Sequence, residues 1–405
     1  MGDIFADRVV VGSEDRLAEM FGGDLGNEGI KFSAGNPNAQ FFPVTEMKQA
    51  FNHAIEAYGN QMFEYQTVSG FSQLRRQLTT WAEQTAQIST TPANILLTQG
   101  GQQALDLIGK LLLNAGDEIV VEAPTYVGAL SAFDQYDPRY YDVALEPDGL
   151  NLTQLEHLLQ HHPGIKLLYT VPDFHNPTGV TMSLAKRKRL VTLAEKYDFL
   201  ILEDTPYRDL RYKGKQLPAI KSFDRQGHVL FVSSFSKILM PGLRVGWVVA
   251  DQAIIQRLRK LKTSSDLETP GLVLAALEQY MEHNDLKKHI AGMLPTYRSR
   301  LEAMLAVLDE TMPAEVEYTR PEGGFFIWLT LPDAINVQKL LNETCIPEDK
   351  ISFVPGKVFY AHKDQQNGIR LNFSGVSEEQ IKLGITKLSN SLRQAIMLKK
   401  VKIAL

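Results

Sequence analysis

From about Pro92 onward, short runs of aliphatic and β-branched residues alternate with stretches whose apolar positions recur every three or four residues. Strands buried on both faces must be apolar throughout, whereas a helix needs only one apolar stripe, so this alternation predicts a parallel sheet covered by helices. The runs predict strands at 95–97, 118–122, 166–171, 199–202, 229–232 and 244–250. Helical spacing falls at 102–113, at 127–133, and from Ser183, a good N-cap, to about Tyr197.

The pattern changes near Asp285. A long helical stretch over 286–308 precedes strands at 315–318 and 325–329, a helix around 337–343, a strand at 369–373 and a last helix from Glu378. Strands grouped with flanking helices predict a separate α+β unit. The first ~45 residues are rich in Gly, Asn and Pro and read as irregular. The expected division is an N-terminal segment (1–45) packing with the small domain, a large domain (46–285) and a small C-terminal domain (286–405).

Composition narrows the function. With 405 residues the chain can bury a large core. A formal net charge of −5 gives no reason to expect nucleic acid or an anionic membrane as partner. A single cysteine, Cys345, excludes an internal disulfide framework and fits a reducing compartment. No signal peptide and no apolar run of membrane-spanning length is read, so a cytoplasmic protein is expected.

Candidate chemistry collects at the C-terminal ends of the predicted strands, the edge where open α/β sheets bind ligands. Five places stand out. In Ser233-Ser234-Phe235-Ser236-Lys237, followed by Arg244, an amine suited to a Schiff base stands beside hydroxyls and a guanidinium suited to a phosphate. Pyridoxal phosphate is a partner with both features. Gly100-Gly101-Gln102 opens a helix whose free N–H groups suit an anion, although plain turns also look so. Tyr126 begins the next helix, where its ring suits a flat cofactor or the core. Asn176, in His175-Asn176-Pro177-Thr178-Gly179, suits a ring oxygen, within a stretch that also reads as a turn. Asp204 follows the most apolar strand, where a carboxylate is expensive unless paired; a pyridinium N–H would pair it, and Tyr207 would reach the ring's phenolic oxygen. A capping aspartate is the plainer alternative.

Together, Asn176-Pro177-Thr178-Gly179, Asp204-x-x-Tyr207 and Ser234-x-Ser236-Lys237 with Arg244 make the chain resemble the fold-type I pyridoxal phosphate enzymes, specifically the class I/II aminotransferases. Within them it resembles the branch of 2-aminoadipate, kynurenine and broad aromatic or branched-chain enzymes, from about Ile30 to Leu392. The resemblance implies a large domain around a mostly parallel seven-stranded sheet with a smaller α+β domain. It implies Lys237 as Schiff-base lysine and proton shuttle, Asp204 on the pyridine nitrogen, Asn176 and Tyr207 on the ring oxygen, and Tyr126 stacked on the ring. Gly101, Gln102, Ser234, Ser236 and Arg244 would bind phosphate. Arg370 matches the family's carboxylate-binding arginine, and Gly35 lies in the loop that closes on substrate. Tyr65 matches the tyrosine that reaches the partner subunit's phosphate, which implies a homodimer with composite sites. No metal is implied.

The chain departs from its relatives where Gly101 stands in place of a frequent Ser, where His175 stands in place of a common Gln, and in Ala34-Gly35-Asn36. The expected reaction is ping-pong transamination of an L-amino acid with 2-oxoglutarate as acceptor. Two other readings are C–S β-elimination on the same scaffold and a cofactor-binding domain of a transcriptional regulator. The second is disfavoured by the net charge and by the roughly 30 residues that precede the resemblance.

Overall fold

The computed structural model describes residues 25–26, 29–362, 365 and 367–404. The first strand described, β1 (Ile30–Lys31), stands apart from the large sheet. That sheet contains β2 (Ile95–Thr98), β3 (Glu118–Ala123), β4 (Arg139–Glu146), β5 (Gly149–Leu150), β6 (Ile165–Thr170), β7 (Leu200–Asp204), β8 (Val229–Ser234) and β9 (Gly246–Val249). Its order is β2-β9-β8-β7-β6-β3-β4-β5. The neighbours from β8 to β4 are parallel, and β9 runs antiparallel to both β2 and β8. The resemblance implied seven strands; the eighth is β5, a two-residue return against β4.

Every residue of β2, β8 and β9 is buried, which is why these runs are apolar without alternation. β4 escapes that pattern because it lies near the sheet's edge and buries only Val143. The helix Leu184–Tyr197 is capped as expected, with Ser183 Oγ accepting from the Lys186 amide. Helices Val44–Tyr58, Ser72–Ala86, Gly100–Leu112, Val127–Phe133, Leu152–His161, Gln252–Asp266 and Gly271–His283 complete this part.

After the helix Leu286–Thr311, β10 (Glu317–Tyr318) and β11 (Phe326–Thr330) follow. The expected helix near 337 is a single α-turn, Val337–Leu340, that widens into a π-helix reaching Asp349. Next come β12 (Ile351–Ser352), β13 (Val354–Pro355) and β14 (Gly368–Asn372). A second, antiparallel sheet has the order β10-β11-β14-β13, and β12 pairs in parallel with β1. The Leu286–Thr311 helix packs along the terminal helix Glu378–Ala404. One hydrophobic cluster joins Tyr207, Phe235 and Trp247 of the large sheet region to Phe325, Phe326 and Leu371 of the small one. The seam between the two sheets is therefore packed, and the C-terminal ends of β2, β3, β6, β7 and β8 open along it.

Candidate active site

The turn after β8 is knitted by its own serines. The Ser234 hydroxyl donates to Ser236 Oγ at 2.8 Å and accepts from the Ser236 amide at 3.0 Å. That turn aims Lys237 inward, where Nζ donates to the Gly35 carbonyl at 2.8 Å. Burial, followed by the positive charges of Arg370 and Arg244, lowers the Lys237 ammonium to about 8. An amine that sheds its proton near neutral pH is ready both as nucleophile and as base.

Asp204 ends β7, where alternate residues face opposite sides of the sheet. Its neighbour Glu203 faces away and accepts from the Ile220 and Lys221 amides, both at 2.8 Å. Asp204 instead faces the cavity that holds Lys237, Tyr126 and Asn176. Burial pushes its carboxyl up to about 7, against hydrogen bonds from Tyr169 and the Thr205 amide that lower it. The Tyr169 hydroxyl donates to Asp204 Oδ2 at 2.8 Å.

Asn176 bridges the two sheets. Its amide Nδ2 lies 3.5 Å from the Tyr207 hydroxyl, and its Oδ1 accepts from Arg370 Nη1 at 3.0 Å. The Arg370 side chain projects from β14, is fully buried, and lies between the rings of Phe326 and Phe359, at 4.4 and 5.2 Å from their centroids. Its Nη2 donates to the Ser33 carbonyl at 2.8 Å, and its Nε has no partner. Among the described residues no carboxylate pairs with it, and burial lowers its guanidinium to about 10. A buried, unneutralised guanidinium of this kind suits a carboxylate partner.

At the Gly101 end of the cavity the donors open to an anion are largely backbone. The helix Gly100–Leu112 begins without a side-chain cap, so its first N–H groups are open to an anion. Arg244 Nη2 donates to the Gln99 carbonyl at 3.2 Å, directly over Gly100. A Cβ on Gly100, which has φ +78°, would come within 2.6 Å of that nitrogen, so glycine is required there. A Cβ on Gly101 would meet nothing within 4 Å; the departure from Ser leaves room rather than a clash. The Gln102 side chain is engaged elsewhere, with Nε2 donating to the Gly128 carbonyl at 2.8 Å. Its backbone N–H is what remains for an anion. Tyr126 borders the same cavity, and Gly128 leaves space for its ring.

The structure thus gathers Gly101, Gln102, Tyr126, Asn176, Asp204, Tyr207, Ser234, Ser236, Lys237 and Arg244 around one cavity, with Gly35 and Arg370 hydrogen-bonded to members of it. Tyr65 is not brought there; it is 87% exposed. Sequence reading missed Tyr169, Phe326 and Phe359, which resemble core aromatics, and the apolar cavity wall of Leu105 and Val171. His175 also has a use it had not been given. Its Nε2 faces Glu122 Oε2 at 3.0 Å, its Nδ1 contacts Thr178 Oγ1 at 2.8 Å, and Glu122 accepts from Thr170 and from the Val171 amide. The pair ties the end of β3 to the Asn176 loop. No helix among the described residues is long and apolar enough to cross a membrane, and no cluster of metal-ligating side chains occurs among them.

Comparison with known proteins gives the same picture. The family model for aminotransferase class I and II matches residues 27–388. The chain is 42% identical over 369 residues to the aromatic-amino-acid aminotransferase 1 of Thermococcus litoralis, covering 90% of this chain and 88% of that one. A kynurenine aminotransferase from Pyrococcus horikoshii, solved in complex with PMP, superposes with a TM-score of 0.90 at 40% identity, over 96% of this chain and 97% of that one. The alpha-aminoadipate aminotransferase of Thermus thermophilus, solved with N-(5'-phosphopyridoxyl)-L-leucine, gives 0.89 at 31% identity, over 98% and 99%.

Proposed function

The chain belongs to the class I and II aminotransferases, enzymes that work with pyridoxal phosphate, and we propose that it transfers the amino group of a 2-aminoadipate, aromatic or branched-chain L-amino acid to 2-oxoglutarate in two half-reactions. One observation carries this reading: the lowered amine of Lys237 and the carboxylate of Asp204 border a single cavity, and the unneutralised Arg370 is hydrogen-bonded to Asn176 on its wall. The residues fit the cofactor. The uncapped helix start, the Gly100 cradle under Arg244, and the hydroxyls of Ser234 and Ser236 suit its phosphate.

Bound pyridoxal phosphate supplies an electron-poor ring that accepts the electron pair left when a substrate Cα–H bond is broken. The protein's own residues do the rest. Lys237 accepts the α-proton and returns it, because burial and the neighbouring arginines bring its pKa down to about 8, within reach of a general base near neutral pH. Asp204 would hold positive charge at the ring nitrogen, Asn176 and Tyr207 would hold the ring oxygen, and Tyr126 would cover the ring face. Arg370 grips the α-carboxylate with a planar fork whose plane is fixed by the two phenyl rings. An amino-donor panel with 2-oxoglutarate as acceptor tests the substrate assignment. Fastest turnover with a small donor such as alanine, or pyruvate release in place of amino transfer, would overturn it.

Arg370→Lys is expected to weaken every amino and oxo acid, since all share the α-carboxylate. Reducing a bidentate pair to a point charge costs on the order of 2 kcal/mol, about thirtyfold in affinity. Oxo-acid affinity measured by quenching of cofactor fluorescence reads this directly; unchanged affinity places the carboxylate site elsewhere.

We further propose a homodimer in which Tyr65 serves the neighbouring subunit. Tyr65 and Phe63 are 87% and 67% exposed, an unusual state for two large rings, and they stand outside their own chain's cavity. Co-refolding Tyr65→Phe chains with Arg244→Ala chains should restore up to about a quarter of wild-type activity, because about half of the dimers are mixed and each mixed dimer has one site with both defects and one with neither. No recovery means that Tyr65 acts within its own chain.

A further inference from the structure

We infer that Tyr169, a residue outside the cavity, is a positioning residue for the reaction: its hydroxyl holds the carboxylate of Asp204 in place, and ionised, behind the cofactor's ring nitrogen. The inference rests on the role proposed for Asp204.

The geometry begins in the sheet. Tyr169 lies on β6 and Asp204 ends the neighbouring strand β7, with Tyr169 paired in register to Leu202. Asp204 is two residues beyond Leu202, so both side chains rise from the same face of the sheet. The tyrosine hydroxyl reaches past the end of its own strand to Asp204 Oδ2 at 2.8 Å. Asp204 borders the cavity and Tyr169 does not, so the hydroxyl meets the carboxylate from the side away from the ligand. Both groups are buried, at 5% and 0% exposure, so no bulk water competes for the bond. The Tyr169 ring is itself fixed by the edge of Phe133, centroids 5.8 Å apart.

The direction of the hydrogen bond decides what it does. Burial and the neighbouring negative charge of Asp204 push the Tyr169 phenol far above its ordinary range, so it keeps its proton and can only donate. A donor to a carboxylate favours the ionised form. Asp204 needs that help, since burial alone drives it towards the protonated acid. The other groups facing the pair are Lys237, whose charge favours ionised Asp204, and Tyr126 and Glu122, which face Tyr169. None of these supplies a second side-chain donor to Asp204. The hydroxyl also removes a degree of freedom: with one oxygen pinned, the carboxylate cannot rotate away from the ring nitrogen.

Tyr169→Phe keeps the ring and deletes only the donor. A hydrogen bond to a charged group of this kind corresponds to a shift of about one to two pH units. In the holoenzyme, the pH midpoint of the bound cofactor's absorbance band should move up by about one unit, because a ring nitrogen that shares its proton with a more basic carboxylate withdraws fewer electrons. Turnover should fall about tenfold with KM for the amino donor nearly unchanged, and the cofactor's dissociation constant should rise severalfold. Phe133→Leu loosens the ring without removing the hydroxyl; it should lower thermal stability and leave the midpoint in place. If Tyr169→Phe changes only thermal stability, as Phe133→Leu does, the hydroxyl is a structural bond and the inference fails. Asp204→Asn measured alongside separates the two levels. A normal rate in Asp204→Asn overturns the role of Asp204 itself, whereas an impaired Asp204→Asn beside a normal Tyr169→Phe overturns the positioning role alone.

Discussion

Lys237→Ala should abolish transamination while leaving the fold and the phosphate cup intact. The loss is twofold: the amine that bonds to the cofactor, and the base that moves the α-proton. General base catalysis alone contributes roughly 10²–10⁴-fold, and the covalent role adds to it, so a fall of at least about 10⁴-fold is expected. The fold has little to lose. The amine makes one hydrogen bond, to the Gly35 carbonyl, and its lowered pKa shows that the protein holds a charged lysine there at a cost. Thermal unfolding of the apoprotein should therefore stay close to wild type or rise. Reduction of the native holoenzyme with borohydride, followed by peptide mapping, should find the pyridoxyl group on Lys237. Label on any other lysine sinks the assignment.

Asp204→Asn should cut kcat by about 10³-fold, roughly 4 kcal/mol of transition-state stabilisation, and change KM little. The substitution preserves shape, and the Tyr169 hydroxyl can still donate to the new amide's oxygen. What disappears is the negative charge, and that charge matters most when the ring carries the extra electron pair. Loss felt in the transition state lowers kcat, whereas loss felt equally in the bound substrate raises KM. A variant with a normal kcat and a raised KM would show that Asp204 only shapes the pocket.

The residues legible in the sequence are those that punctuate it. Lys237, Asp204, Asn176 and Gly101 follow apolar strands closely, so a change from buried run to polar group marked each of them. Tyr169 carries no such mark. It sits within an apolar strand, and its hydroxyl has a use only because β7 lies next door, a neighbour fixed by sheet order rather than by chain order. Phe326 and Phe359 are hidden for a like reason: they meet Arg370 from separate segments of the small sheet region. Among the elements, β4 was missed because tyrosines and charged residues surround its one buried valine and leave no continuous apolar run. The helix Gln252–Asp266 was missed because it buries only Ile255, Leu258 and Lys262, a stripe too narrow to stand out against its charges.

The contact between His175 and Glu122 makes two distant positions a single heritable unit. Glu122 is a buried carboxylate whose oxygens are divided among Thr170, the Val171 amide and the His175 ring. A lineage that changes position 175 first leaves Glu122 Oε2 with the Val171 amide alone, and one that changes position 122 first leaves the Nε2 side of the imidazole facing no carboxylate. Each step alone is a loss that the other must repair, so the two should drift together and resist drifting singly. A library that randomises the Asn176 loop while holding position 122 fixed will sample mostly the penalties of broken pairs. One that varies both will explore how this loop can be rebuilt.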